Sequence, residues 1–299
     1  MTGLKWTVTG LAVALVSTLF VSSAMAQQTA MKKVLFLTKS EGFQHDMIQR
    51  PKDAPEKLGV AEKIFVDFAA KQGYEVTCTK DASLFTPENI AKYDVFAFYT
   101  TGDLTKFSKN DGGKGMSPEQ KQAMLDAIKA GKGVIGFHSA TDMFHRGNGQ
   151  VDEFIKMMGG EFLTHNSQQK ATMKVAFKFP GLEDLKDFEM FDEWYANKNI
   201  NPSMTVILVQ DTTTMKNSKG VREPAYQRPP YPATWALMYG QGRVFYTSMG
   251  HVKSTWEHPT FQKIVIAGLD WVSGKTNVEL KQNLLEVTPG YNQTTLNGK

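Results

Sequence analysis

Short, continuously apolar segments alternate with helix-like segments through the first half of the chain. Residues 33–38, 94–99 and 133–138 are runs of this kind. A strand that is apolar on both faces has to be covered on both faces, as happens when helices pack on each side of a parallel sheet. The pattern therefore predicts an α/β fold, a doubly wound and mostly parallel sheet with right-handed crossovers.

The connecting helices have clear ends. Residues 61–71 carry apolar side chains at helical spacing, and residues 74–78 follow as a strand. Ser117 and Gln120 have the spacing of a capping box, which predicts a helix start at this point. Gly131 supplies the left-handed residue that ends the same helix.

The second half of the chain has a different pattern. Residues 235–239 and 243–248 predict two strands joined by a tight glycine turn, and residues 205–209 predict another strand. Strands connected by a turn this short are antiparallel. We therefore expect antiparallel strands added to the parallel sheet, followed by an amphipathic helix over 258–272.

Residues 1–26 have the three parts of a secretory signal peptide. Lys5 precedes an apolar run at 11–21, and Ala24-Met25-Ala26 forms an A-x-A cleavage site. The run is shorter than the ~20 residues that a bilayer span requires. The sequence predicts a periplasmic or secreted bacterial protein with no membrane span after signal removal.

One domain accounts for the rest of the chain. The sequence has no Pro/Ser-rich linker and no internal repeat, which predicts an α/β domain at 27–274 and a polar C-terminal tail at 275–299. A content of 41% hydrophobic residues excludes disorder, and a single cysteine excludes an internal disulfide or a thiolate zinc cluster. The net charge of +4 is too weak to predict nucleic-acid binding.

Histidines follow several of the predicted strands. Ligands of a doubly wound sheet bind beyond the carboxyl ends of its strands. His45 follows the first strand, His138 ends the fourth, His251 follows the last, and His165 lies in a loop after a Gly-Gly pair. A single histidine of this kind is more often solvated or bonded to backbone, but together they suit metal binding or acid/base catalysis.

Residues 136–140 have the form of a nucleophile elbow, in which a strand, a sharp turn and a helix expose the third side chain. That third residue is His138. A hydrolase that forms an acyl intermediate therefore lacks its usual nucleophile, unless Ser139 takes the part. One step along a helix turns a side chain by about 100°, which disfavours Ser139.

The segment Asp192-Glu193-Trp194-Tyr195 places two acids beside two aromatic residues. Such a group suits sugar binding, because carboxylates bind hydroxyls and rings stack on the apolar sugar face. The alternative is an exposed acidic turn anchored by a buried tryptophan. The residues alone leave both interpretations open.

The chain resembles the ThuA-like family, which is associated with trehalose utilisation and related in fold to class I glutamine amidotransferases. The resemblance spans most of residues 33–274 and rests on five ordered motifs, at 38–46, 136–142, 159–165, 192–195 and 240–251. Gln44 departs from the family, which often has Arg or another large residue there. The resemblance implies a flavodoxin-like sheet. It also places His138 where amidotransferases carry cysteine, so glutamine hydrolysis is not expected.

The association with trehalose implies a substrate class, the 3-keto-glycosides, which an upstream sugar 3-dehydrogenase would supply. A ketone at C3 acidifies the hydrogen at C2, so a base can remove it while the glycosidic oxygen leaves C1. We expect a carbohydrate-processing lyase or hydrolase. The alternatives are a non-catalytic sugar-binding protein that uses the same crevice, and a metal-independent isomerase or hydrolase.

The expected site combines metal ligands, catalytic groups and sugar contacts. The predicted ligands of a divalent metal are His45, His138 and His251. Donor sets of nitrogen and oxygen without thiolates favour Mn, Fe, Co or Zn. The predicted catalytic residues are His138, Glu193 as the base, and Asp142, which orients a histidine. The predicted sugar contacts are Asp192, Trp194, Tyr195 and His165.

Overall fold

A large mixed sheet organises the part of the chain that the computed structural model describes, which comprises residues 1–3, 31–147, 149–218, 225–226 and 229–293. The strands are β1 (Lys32–Leu37), β2 (Tyr74–Thr79), β3 (Val95–Phe98), β4 (Gly133–Phe137), β5 (Glu161–His165), β6 (Gln169–Val175), β7 (Phe188–Asp192), β8 (Tyr195–Lys198), β9 (Thr205–Asp211), β10 (Tyr231–Tyr239) and β11 (Gly242–Thr247). Within these residues, nine strands form one sheet in the order β2-β1-β3-β4-β11-β10-β9-β6-β7.

Helices cover both faces of this sheet. They are α1 (Val60–Ala70), α2 (Pro87–Ile90), α3 (Pro118–Lys129), α4 (Glu153–Met158), α5 (Lys253–Glu257), α6 (Pro259–Val272) and α7 (Leu284–Val287). One buried cluster packs α1 and α6 against the sheet, and a second packs α3 and α4 against it. None of the described helices is long and apolar enough to cross a membrane.

The parallel half of the sheet confirms the predicted fold class. Strands β2, β1, β3, β4 and β11 are parallel neighbours in that order. This is the strand order of flavodoxin-like folds, in which ligands bind at the carboxyl ends. Every residue of β3 and β4 is buried, as the continuous apolar runs predict.

The antiparallel half contains both expected and unexpected strands. The predicted hairpin is confirmed, because β10 and β11 pair antiparallel. Strands β9, β6 and β7 extend the sheet beyond it, and β5 pairs with β8 in a separate two-stranded sheet. Strands β5 to β8 were not predicted from the sequence. In β6 and β7 buried and exposed residues alternate, so neither forms an apolar run.

The predicted helix ends are confirmed. Ser117 and Gln120 form a capping box at the start of α3. Gly131 follows the end of this helix with φ of 123°. A positive φ is the conformation that favours glycine after a helix.

Two predicted segments lie at the ends of the chain. The predicted signal peptide at 1–26 lies almost entirely outside the described residues. Of the segment at 275–299, the part up to residue 293 is described, and it contacts β9. The Asn283 side chain accepts from the Val206 N–H at 2.7 Å and donates to its carbonyl at 3.0 Å, and Leu284 is buried beside it.

Candidate metal centre

Four side chains from distant parts of the chain meet at the carboxyl end of the parallel strands. His45 lies on the loop after β1, His138 directly follows β4, His251 follows β11, and Glu193 follows β7. One donor atom of each lies within 4.8 Å of the donor atoms of the other three. We call this group the metal cluster. The structure thus brings together the three predicted histidines and adds a carboxylate.

His138 occupies a strained turn at the end of β4. Its φ is +42°, a left-handed value that residues other than glycine rarely adopt. The turn has the elbow geometry predicted for residues 136–140. His138 Nδ1 donates to the Ser248 carbonyl at 2.8 Å, since a carbonyl can only accept. In the neutral ring Nε2 therefore carries the lone pair that a metal requires.

The loop that carries His45 is held by a buried glutamate and a partly buried lysine. Glu62 on α1 accepts from Arg50 Nη2 at 2.8 Å and from the Thr38 hydroxyl at 2.5 Å. Lys80 donates to the Thr38 carbonyl at 2.5 Å. Both contacts hold the chain directly after β1 against α1 and the residue that follows β2. The loop that carries His45 therefore begins at a fixed point.

Three of the four donor atoms of the metal cluster are spaced as metal ligands are, and the donor atom of His45 lies within 4.8 Å of them. His138 Nε2 lies 3.2 Å from His251 Nδ1, and Glu193 Oε2 lies 3.4 Å and 3.2 Å from these two nitrogens. Ligands bound tetrahedrally to one ion at about 2.1 Å stand about 3.4 Å apart. His45 Nδ1 is buried without a hydrogen-bond partner among the described residues. The residues present therefore fit a divalent metal with three nitrogen ligands and one oxygen ligand.

The electrostatics of the metal cluster favour ligation. Burial, followed by the neighbouring His138 and His251, lowers the pKa of His45 to about 2, so its ring is neutral. Burial would raise the pKa of Glu193, but the neighbouring imidazoles of His138 and His251 outweigh burial and lower this pKa below its usual range. A carboxylate that stays ionised suits metal binding, and the role of Glu193 as a base stays a prediction.

Asp192 holds the backbone of the metal cluster and does not contact the cavity. Its side chain is completely buried. Oδ2 accepts from the Gly250 N–H at 2.7 Å, and Oδ1 accepts from the N–H groups of His251 and Glu193, both at 2.9 Å. The prediction that Asp192 binds sugar is wrong, because backbone donors occupy both of its oxygens.

Trp194 also differs from its predicted role. The ring is completely buried, and its indole N–H donates to the Gln169 carbonyl at 2.7 Å. It anchors the connection between β7 and β8 to β6 and cannot stack on a sugar. The alternative of a turn anchored by a buried tryptophan is correct for this residue, although the acids beside it are also buried.

A cavity of about 360 Å³ lies over the metal cluster. We call it the metal cavity, and its walls are Phe43, His45, Asp142, Phe162, His165, Glu193, Tyr195 and His251. Two of the residues predicted to contact sugar, Tyr195 and His165, therefore line this cavity. His165 ends β5 and does not lie in a loop as predicted, and its Nδ1 lies 3.2 Å from Glu193 Oε1. The Tyr195 hydroxyl lies 3.3 Å from His45 Nε2.

Sequence reasoning missed the two phenylalanines of the metal cavity. Phe43 is 67% exposed, unusual for a ring of this size, and Phe162 forms part of the opposite wall. Phe43 could have been found from its position two residues before His45, because it lies on the same loop after a parallel strand, where ligands bind. These rings offer the apolar surface that was predicted for Trp194.

The ThuA family model, described as trehalose utilisation, matches residues 33–272. This match covers most of the sequence. The chain belongs to the ThuA family. No curated protein matches the sequence.

Solved structures share the fold of this ThuA-family chain at low identity. A ThuA-like protein from Bacteroides uniformis ATCC 8492 is 19% identical, with 84% of this chain and 94% of that chain covered and a TM-score of 0.59. One from Parabacteroides merdae ATCC 43184 is 16% identical, with 88% and 96% covered and a TM-score of 0.59. A β-galactosidase from Bacillus circulans sp. alkalophilus is 12% identical, with 81% of this chain but 31% of that chain covered and a TM-score of 0.50.

In this ThuA-family chain, Asp142 orients a histidine outside the metal cluster. His145 Nε2 lies 2.6 Å from Asp142 Oδ1, and its Nδ1 lies 2.7 Å from Glu161 Oε1. The hydrogen bond to Asp142, and then the one to Glu161, raise the pKa of His145 against the effect of burial. His145 therefore lies between two carboxylates that favour its protonated form, and it is a partner for Asp142 that was not predicted.

Proposed function

We propose that this ThuA-family protein is a periplasmic or secreted enzyme that binds a divalent metal and cleaves 3-keto-glycosides. The observation that carries the proposal is the opening of a buried cluster of three histidines and one glutamate into the metal cavity. Its volume of about 360 Å³ falls within the range of about 300–1,000 Å³ for small-molecule sites.

The ligands of the metal are His45, His138, Glu193 and His251. A metal bound there supplies a Lewis acid that polarises the ketone oxygen of the sugar. His138 is oriented for ligation by the Ser248 carbonyl, and the neutral ring of His45 offers an unpaired nitrogen. Manganese, iron, cobalt and zinc suit these nitrogen and oxygen donors.

Asp142 is the base of this proposal in place of Glu193. Its carboxylate lines the metal cavity, and His145 holds only one of its oxygens. Asp142 takes the proton from C2 of the sugar, and the electrons of that bond form a double bond between C1 and C2. The bond from C1 to the glycosidic oxygen breaks, and this oxygen leaves with the electron pair and takes a proton from water. Water adds to the double bond in a later step.

Two aromatic rings support a sugar as the occupant. Phe43 is exposed and Phe162 faces the same cavity from β5. Flat apolar rings beside charged groups suit the apolar face of a sugar. The same surface also supports the second candidate function, a sugar-binding protein that leaves its ligand intact.

Export rests on the sequence at 1–26, with its basic start, apolar run and A-x-A site. An exported enzyme of this kind would meet its substrate outside the cytoplasm, where an upstream sugar 3-dehydrogenase would have to act as well. Detection of the mature chain, starting at Gln27, in the periplasm or medium tests this part of the proposal.

The test of activity is product formation from 3-keto-trehalose, measured with added Mn, Co or Zn and with chelator. We expect cleavage that the chelator abolishes and metal restores. The variant His138→Asn should lose most turnover, since asparagine tolerates a positive φ but does not replace the imidazole nitrogen. His258→Asn is the matched control, because His258 caps α6 outside the metal cluster and asparagine also caps helices.

Each outcome separates the candidates. Cleavage that resists the chelator and survives in His138→Asn would exclude the metal cluster from the reaction. A sugar that raises the melting temperature without being cleaved under any metal would favour the binding protein.

A further inference from the structure

A second cavity lies next to the Asp142–His145 pair. It has a volume of about 630 Å³, larger than the metal cavity, and we call it the outer cavity. His145 lines the outer cavity and Asp142 lines the metal cavity, and their side chains are hydrogen bonded at 2.6 Å. This pair therefore borders both cavities.

The loop after β1 also borders both cavities. Glu41 lines the outer cavity and Phe43, two residues later, lines the metal cavity. Gly102, another wall residue of the outer cavity, donates its N–H to the Asp142 carbonyl at 2.8 Å. A ligand longer than one sugar ring that occupied both cavities would contact these residues.

The charges of the outer cavity favour a neutral, hydroxyl-rich ligand. Its three lysine and arginine side chains each lie near a carboxylate of the same wall: Lys106 with Asp103 at 3.8 Å, Lys121 with Asp152 at 2.7 Å, and Arg146 with Asp152 at 2.7 Å. A charged ligand would compete with these pairs. Sugar hydroxyls donate and accept at once, so they can use the remaining donors and acceptors without separating the pairs.

We propose that the outer cavity is the subsite for the leaving sugar of a 3-keto-disaccharide. The inference rests on the proposed function, which places the oxidised ring in the metal cavity. The C1–oxygen bond that breaks then lies at the wall formed by Asp142 and His145, next to the base that removes the C2 proton. His145 acts as a positioning residue, because its two nitrogens are bonded to Asp142 and Glu161.

The experiment compares two substrates that carry the same oxidised ring and differ in their leaving group. In 3-keto-trehalose the leaving group is glucose, and in methyl 3-keto-α-glucoside it is methanol, which leaves the outer cavity empty. The variant Gln122→Trp fills this cavity from an exposed position of α3. Glu119→Trp is the matched control, since Glu119 is exposed on the same helix and lies outside the cavity wall.

We expect Gln122→Trp to raise KM for 3-keto-trehalose about tenfold, which corresponds to the loss of one or two hydrogen bonds. The methyl substrate should keep its kinetic constants in both variants. Free glucose should inhibit the wild type competitively, a measurement that does not depend on the folding of any variant, and Gln122→Trp should relieve this inhibition.

The inference is overturned if Gln122→Trp affects both substrates equally, or if it affects neither and glucose does not inhibit. In both cases turnover of the methyl substrate by the wild type would leave the proposed function standing. If the wild type cleaves neither substrate with any metal, the proposed function itself fails, and the leaving-sugar subsite fails with it.

Discussion

Replacing Asp192 with asparagine tests whether this buried carboxylate holds the metal cluster in place. The asparagine oxygen can still accept from the N–H groups that Oδ1 binds at 2.9 Å, those of Glu193 and His251. The amide nitrogen then replaces Oδ2 and faces the N–H of Gly250, which lies 2.7 Å from the carboxylate. Two donors then oppose each other in a buried site.

The expected magnitude follows from these bonds. A hydrogen bond to a charged group contributes about 1.5–3 kcal/mol, and a buried donor without an acceptor costs about 1–3 kcal/mol. We expect Asp192→Asn to lower the free energy of unfolding by about 2–4 kcal/mol, because these contributions overlap. Displacement of the His251 backbone should also weaken metal binding by about 10–100-fold, as is usual for groups that orient metal ligands.

Urea unfolding and calorimetric titration with Zn²⁺ measure the two effects. Asp211→Asn is the matched control, because Asp211 accepts from the Thr213 N–H at 3.0 Å and is not part of the metal cluster. It should destabilise the fold and leave zinc affinity unchanged. If Asp192→Asn unfolds within about 0.5 kcal/mol of the wild type and binds zinc equally well, Asp192 does not hold the site. If it loses only sugar affinity, Asp192 contacts the sugar after all.

Glu62→Gln leaves Arg50 without its buried partner and should lower the free energy of unfolding by about 3–5 kcal/mol. Burial would raise the pKa of Glu62, but the bonds from Arg50 outweigh it and lower this pKa. The stabilisation is therefore present above the unfolded-state pKa of about 4.3 and lost as the pH falls through the lower folded-state value. Urea titrations from pH 7 to 3 should show this loss in the wild type and not in the variant. Trp194→Phe removes the bond to the Gln169 carbonyl and should cost about 1–3 kcal/mol of stability with sugar affinity unchanged; weaker sugar binding without destabilisation would contradict its burial. Phe43→Ala should weaken sugar binding in calorimetry. In urea unfolding its stability should stay within about 0.5 kcal/mol of the wild type, because the ring is 67% exposed.

The fold was predictable where local patterns carry strong signals. Strands β3 and β4 are buried along their whole length and β1 is buried from Val34 to Leu37, because both faces of the sheet are covered there. The capping box of Ser117 is a local arrangement of residues close together in the chain. Strands β5 to β8 carry weaker signals. Residues such as Lys170 and Glu189 are exposed within them, so their pattern does not differ from that of a loop.

The candidate site was predictable in part for the same reason. The rule that ligands bind at the carboxyl ends of parallel strands depends only on strand order and direction, so it located His45, His138 and His251 correctly at one edge. It did not assign Glu193 to the same cluster, because β7 lies at the far edge of the sheet order and was not predicted. The role of Asp192 also depended on a distant partner, the backbone at Gly250.

The sequence by itself determined the parallel core, the hairpin, the helix ends and the histidines that follow the strands, since each depends on residues close together in the chain. Only the tertiary structure decided which acidic residue joins the histidines, that Trp194 is buried while Phe43 faces the cavity, and that His145 bridges Asp142 and Glu161. These features depend on contacts between segments far apart in sequence. Burial and pairing of that kind follow from the packing of the whole sheet, which no local pattern encodes.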